Sequence, residues 1–203
     1  MSRPSTLLFL PGALGRTEAW QPVADALAFT AQHVHLSWPG FGGTAPDASI
    51  RGIDDLAGRV AAAIDRPSAL LAQSMGGVVA VLAALQRPEL VTHLVLSATS
   101  GGMDLAPLGA QDWRPMVRAS HPDLPDWFLR STDDLTARLP ALRMPVLLLW
   151  GDADPISPVA AGERLQALLP DARLHVLAGA GHDLVETRAA EVARLVDAHL
   201  APG

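Results

Sequence analysis

Three stretches of the chain carry side chains whose types and order suit acyl transfer. In Ala72-Gln73-Ser74-Met75-Gly76-Gly77, directly after the apolar run Ala69-Leu70-Leu71, a serine stands between a strand pattern and a helical one, with small residues where a sharp turn requires them. A serine at the tip of such a turn has its hydroxyl lifted out of the sheet toward a base and a substrate carbonyl. The hydroxyl is a poor nucleophile until a base takes its proton, and histidine does this best when a carboxylate fixes its tautomer and stabilises the imidazolium. Two aspartates follow an apolar run in Leu149-Trp150-Gly151-Asp152-Ala153-Asp154-Pro155-Ile156-Ser157-Pro158, and a histidine stands in the glycine-rich Gly179-Ala180-Gly181-His182-Asp183. Serine, aspartate and histidine come in the order that a strand-to-helix nucleophile turn requires. Taken alone, Ser74 reads equally well as a helix N-cap; the downstream Asp and His give it a chemical role. On the residues alone the acid is open among Asp152, Asp154 and Asp104, while Asp183 is badly placed to reach the ring of its neighbour His182.

These residues need a scaffold that brings distant strand ends together. Short apolar runs alternate with longer helical patterns, the signature of parallel βαβ units. Strands are predicted at 6–10, 33–37, 69–73, 92–98, 145–150 and 173–177, and helices at 18–28, 53–64, 75–86, 158–169 and 186–200. The serine, both aspartates and the histidine then fall at carboxyl ends of strands, where an open α/β sheet builds its site. Residues 101–143 break the rhythm, with prolines, Trp113, Trp127, Phe128 and a short helical patch at 133–139. At about 40 residues this insertion exceeds an ordinary connection and reads as a small lid.

Composition excludes much else. The 203 residues make one domain, with 49% hydrophobic and 18% charged residues and a net charge of −6. No basic patch would track a phosphate backbone, so nucleic acid is not an expected partner. There is no cysteine, which removes thiolate chemistry and Cys-ligated metals, and all 15 basic residues are arginine, which removes Schiff-base lysines and the P-loop lysine. His33 and His35 share a strand face but have no third ligand at a suitable spacing, and Gly40, Gly42 and Gly43 lack the dinucleotide spacing. Neither a metal nor a cofactor is expected. Arg3 ahead of the run at 6–10 superficially suggests a signal peptide, but Pro11-Gly12 ends the run and no cleavage site follows. The longest apolar stretch, 75–85, is far below the roughly 18 residues of a membrane span. The expectation is a soluble, cytoplasmic protein; its oligomeric state is open.

The chain resembles the α/β-hydrolases. Beyond the serine turn and the order of its partners, the resemblance rests on Pro39-Gly40-Phe41-Gly42-Gly43-Thr44, similar to the family's Pro-Gly-x-Gly-x-Ser turn, and on a Gly-x-x-Asp-x-x-x-Pro pattern from Gly151 to Pro158. It implies a three-layer fold, a mostly parallel sheet of about six strands with helices on both faces and a small helical lid, trimmed at its start relative to the family. It implies Ser74 as nucleophile, His182 as base and Asp154 as acid, with the amides of Met75 and of Ala13 or Leu14 as the oxyanion hole. Ala72 stands where the family usually has glycine, and Pro11-Gly12 where it commonly has His-Gly.

The activity implied is hydrolysis of a small to medium uncharged carboxylic ester. Leu14, Trp113, Trp127 and Phe128 are candidate substrate contacts, since large apolar residues on an insertion over a site either line its pocket or anchor the lid. Because a fold does not fix a reaction, thioester or carbon–carbon cleavage and perhydrolysis are alternatives on the same residues. A binding protein of this fold would show loss of one of the three, and none is lost.

Overall fold

The computed structural model describes residues 2–125, 127–130 and 134–201. Six strands form one parallel sheet in the order β2-β1-β3-β4-β5-β6. They are β1 (Thr6–Leu10), β2 (Gln32–His35), β3 (Ser68–Gln73), β4 (Val91–Ser97), β5 (Val146–Gly151) and β6 (Ala172–Leu177). Alternation along the inner strands builds two cores. Leu8, Leu10, Leu70, Ala72, Leu94, Leu96 and Leu148 face one side, while Leu7, Phe9, Ala69, Leu71, Val95, Leu147 and Leu149 face the other. Strands buried on both faces therefore read as continuous apolar runs.

On the first face lie α2 (Ile53–Ala63), α3 (Met75–Gln86) and α6 (Val159–Leu168). On the second lie α1 (Gln21–Ala26) and α8 (Ala189–Leu200), packed against each other. The chain runs outward from β1 to β2, then returns across β1 to β3, so the direction of winding reverses between β1 and β3. Outside the carboxyl ends of those two strands is the crevice such a reversal leaves for a ligand.

Strand 6–10 and helix 75–86 have their predicted bounds. The strand predicted at 33–37 ends at His35, because the chain turns at Trp38, whose carbonyl accepts the amide of Phe41 (3.0 Å). The helix predicted at 18–28 divides into a 3-10 turn, Thr17–Trp20, and α1, with Pro22 in the first turn of α1. The helix predicted at 186–200 is preceded by α7 (Leu184–Thr187), and Arg188, at φ −125°, separates α7 from α8. Between β4 and β5 lie α4 (Arg114–Ser120), α5 (Trp127–Arg130) and two 3-10 turns, Ala106–Leu108 and Leu139–Ala141. Of the patch predicted at 133–139, position 133 lies outside the described residues. The rest is a turn leading into the second 3-10 turn, which carries Pro140 in its first positions. Among the described residues no helix is long and apolar enough to cross a membrane.

Candidate active site

Ser74 sits between the last residue of β3 and the first of α3 with φ 55° and ψ −122°. A side-chain-bearing residue held there stores about 1–3 kcal/mol of backbone strain, so the surroundings must over-determine it. Its amide donates to Ser97 O at 2.9 Å, prolonging the β3–β4 ladder by one bond. Its carbonyl accepts from Gly77 N (2.9 Å) and from the buried hydroxyl of Thr99 (2.6 Å). The turn also presses α3 onto the loop after β1. A Cβ at Gly76 would stand 2.4 Å from Pro11 O and 2.7 Å from Leu10 O, backbone atoms that have no room to yield.

His182 reaches the serine from the loop between β6 and α7. Its Nε2 lies 3.0 Å from Ser74 Oγ and its Nδ1 2.7 Å from Asp154 Oδ2. The carboxylate is buried, and its second oxygen accepts the amides of Ile156 (2.8 Å) and Ser157 (3.1 Å). An ionised carboxylate only accepts, so the ring hydrogen belongs on Nδ1 and the lone pair of Nε2 faces the serine hydroxyl. The Nε2 lone pair can therefore take the hydroxyl proton, and Asp154 is placed to stabilise the resulting imidazolium. Asp152 and Asp104 are engaged elsewhere. Asp152, exposed, accepts Gly179 N at 2.6 Å, and Asp104 accepts Ala106 N in a turn of its own. Asp183 accepts the amides of Glu186 and Thr187 through its backbone carbonyl. The loops of Asp154 and His182 are tied together by Ala153 N donating to Ala180 O (3.0 Å).

Met75 follows the serine directly, and Ala13 and Leu14 stand in the loop after β1, where a Cβ at Gly12 would come 3.4 Å from Ser74 Cβ. Among the described residues, none of these three donates to a backbone or side-chain acceptor. Met75 is moreover the first residue of α3, where unpaired amides and the helix dipole favour negative charge.

A cleft of about 450 Å³ opens beside this group, between Leu14 and Arg16 on one side, the turn at 40–43, and His121 to Leu124. Leu14 lines it; Ser74 and His182 are not part of its wall. Trp113, Trp127 and Phe128 do not line the cleft either. Trp113 stacks on Phe128 (5.1 Å between centroids), and Phe128 and Trp127 meet the edge or face of Phe41 at 5.6 and 5.5 Å. Phe128 and Phe41 are buried in the first core. The aromatic trio is thus packed on Phe41 in the turn after β2. His33 and His35 pack their rings on Phe9 (5.3 and 4.5 Å).

The sequence model of the alpha/beta hydrolase fold matches residues 5–131 and 126–189. The chain belongs to that family. This α/β-hydrolase is 26% identical over 222 residues to a pimeloyl-[acyl-carrier protein] methyl ester esterase of Nitrosomonas europaea, covering 87% of this chain and 88% of that enzyme. It is 30% identical over 230 residues to the polyketide synthase ThaQ of Burkholderia thailandensis, matching 89% of this chain but spanning only 11% of that synthase's length. Among solved structures, a thermophilic esterase from Thermogutta terrifontis superposes with a TM-score of 0.78 at 20% identity, covering 98% of this chain and 90% of that one. At that identity the likeness is one of fold.

Two residues of the hydrolase site carry no signal that periodicity or motif spacing detects. Gln73 donates through Nε2 to the carbonyl of His182 (3.1 Å), joining the end of β3 to the histidine loop. Thr99, just past β4, holds the carbonyl of the strained serine. Gln73 ends the strand that leads into Ser74, and Thr99 follows β4, which lies between that strand and β5, the strand that leads to Asp154.

Proposed function

We propose that this α/β-hydrolase is a serine carboxylesterase in which Ser74, His182 and Asp154 form the catalytic triad. The observation that carries this reading is the unbroken chain from Ser74 Oγ to His182 Nε2 (3.0 Å) and from Nδ1 to the buried Asp154 carboxylate (2.7 Å). Ser74 Oγ adds to the ester carbonyl while its proton passes to His182 Nε2. The carbonyl oxygen becomes an oxyanion held by the amides of Met75 and Ala13, each such donor contributing about 10²–10³ in turnover. Collapse of the adduct expels the alcohol, which takes the proton from His182, and leaves the acyl group on Ser74. Water then repeats the sequence in reverse: His182 takes its proton, the acid departs, and the serine hydroxyl is restored. Residues 101–143 act as a small lid on a single domain, anchored through Trp113, Trp127 and Phe128 on Phe41, with Leu14 at the cleft as the residue that meets substrate. The substrates of this reading are small to medium uncharged esters, since Arg16, the arginine nearest Leu14 at the cleft, is already engaged by Glu18 and Glu186.

The test is hydrolysis of p-nitrophenyl esters across acyl lengths, run beside Ser74→Ala, with a fluorophosphonate probe read by intact mass. Turnover and a single covalent adduct, both lost in the variant, are expected. Well-folded protein that takes no adduct would overturn the reading. A second reading is favoured by the two sequence relatives, whose names tie them to carrier-borne acyl groups and polyketide assembly. In that case the acyl group arrives as a thioester or on a carrier protein, and an acyl thioester of N-acetylcysteamine is cleaved faster than the p-nitrophenyl ester of the same acid.

A further inference from the structure

Trp38 is completely enclosed, at 1% exposure, just past β2, where the chain turns into the Pro-Gly segment. Its indole Nε1 is directed at two successive carbonyls of the loop after β1, 3.2 Å from Pro11 O and 3.1 Å from Gly12 O. Gly12 O also accepts the amide of Gly15 (3.0 Å), closing the loop into a turn. That loop runs alongside the serine, since a Cβ at Gly12 would stand 3.4 Å from Ser74 Cβ. In a planar trans peptide the carbonyl and the amide hydrogen point in opposite directions. Drawing Gly12 O toward the buried indole therefore turns the hydrogen of Ala13 away from Trp38, and this amide has no acceptor among the described residues.

We infer that Trp38 is a positioning residue for the oxyanion hole: its indole N–H fixes the Gly12–Ala13 peptide so that Ala13 N–H, rather than Leu14 N–H, meets the developing oxyanion. The inference rests on the esterase reading of Ser74. Its value to catalysis is preorganisation, because a donor already aimed at the place where charge develops need not reorient during the reaction.

A second tryptophan supplies the control. Trp20, fully buried, donates to Leu10 O at 3.0 Å, one peptide earlier in the same loop. The partner nitrogen of that carbonyl belongs to Pro11 and carries no hydrogen, so this bond aims nothing at the substrate. Trp20→Phe and Trp38→Phe delete the same group from fully buried sites; Trp38 holds one carbonyl more, and only the peptides it holds carry an amide hydrogen.

The experiment compares wild type, Trp38→Phe, Trp20→Phe and Trp38→3-benzothienylalanine, which keeps the indole shape and replaces the N–H with sulfur. Each is assayed for kcat and KM on one p-nitrophenyl ester, for the inhibition constant of an acyl trifluoromethyl ketone, which forms a tetrahedral oxyanion on serine, and for thermal stability. Both Trp38 variants should lose about 10- to 50-fold in kcat, less than a whole donor's share because Gly15 N still holds Gly12 O, with KM within about twofold. Their affinity for the ketone should fall by the same factor as kcat/KM. Trp20→Phe should lose comparable stability yet keep wild-type kcat and ketone affinity. If the Trp38 variants keep wild-type kcat, or if all three variants lose activity only in step with stability, the positioning role is overturned. If Trp38→Phe does not fold, the benzothienylalanine protein decides by the same criteria. Failure of the esterase reading is separate and visible beforehand, as wild-type protein that is neither labelled by fluorophosphonate nor active.

Discussion

Replacing Asp154 with asparagine keeps the size of the side chain but removes the charge that selects the tautomer of His182. An amide nitrogen facing Nδ1 would move the ring hydrogen to Nε2 and direct it at the serine, so kcat should fall by about 10³–10⁴ while the fold persists. Asp152→Asn, two residues away, keeps an oxygen for Gly179 N and should leave kcat within about twofold. Steady-state kinetics with a thermal melt on both variants checks the assignment of the acid. The two aspartates show where sequence reading stops. Both lie in one loop with the same neighbours, and only the fold separates the buried carboxylate on the ring from the exposed one on a loop amide. That Ser74 and His182 would approach one another was expected from the turn after β3 and the glycine-rich loop after β6. The placement of Trp113, Trp127 and Phe128 was not, because their partner Phe41 lies far away in the chain.

Elements matter here mainly through how closely their ends approach. At Gly151, the last residue of β5, a Cβ would stand 2.0 Å from Ala180 O in the loop that carries His182. Gly151→Ala must therefore part the two loops that hold Asp154 and His182. Overpacking against backbone costs about 1–3 kcal/mol, so a loss of roughly 3–10 °C in Tm is expected. The separation should also lower kcat by more than tenfold, since misplacing catalytic groups by about 1 Å costs on the order of 10². Differential scanning fluorimetry and ester kinetics read the two effects. The strands and the helix after the serine were legible from apolar runs and their flanking turn residues. The breaks within the predicted helices 18–28 and 186–200 were not, since local 3-10 geometry and a single residue off the helical conformation, Arg188 at φ −125° and ψ 30°, leave the apolar spacing nearly unchanged.

Across the whole molecule, the end of the sheet opposite the serine sets how the fold responds to acid. His93 at the start of β4 and His199 in α8 meet edge to face at 5.2 Å, and His199 is within hydrogen-bond reach of Leu94 O (3.1 Å). Burial holds both imidazoles below their usual range, His199 at about 4, with repulsion from His93 and Arg173 adding to the effect and Asp171 opposing it. Both are thus neutral in the fold at pH values where the unfolded chain protonates them. Stability is fully present above about pH 6.5 and is lost as pH falls toward 4, on the order of 2–3 kcal/mol from His199. Urea unfolding between pH 7.5 and 4.5 should show this decline, and His199→Gln, which retains a donor for Leu94 O, should flatten it.

The serine, the acid and the base hang from β3, β5 and β6, with β6 at the outer margin of the sheet and the last strand in the chain. No fragment stopping short of β6 can assemble them, and parallel strands joined across long connections form late in folding. Covalent capture by a fluorophosphonate therefore works as a clock for completion of the sheet. During refolding from urea, labelling should lag behind the return of helical circular dichroism and appear only when the final strand has docked.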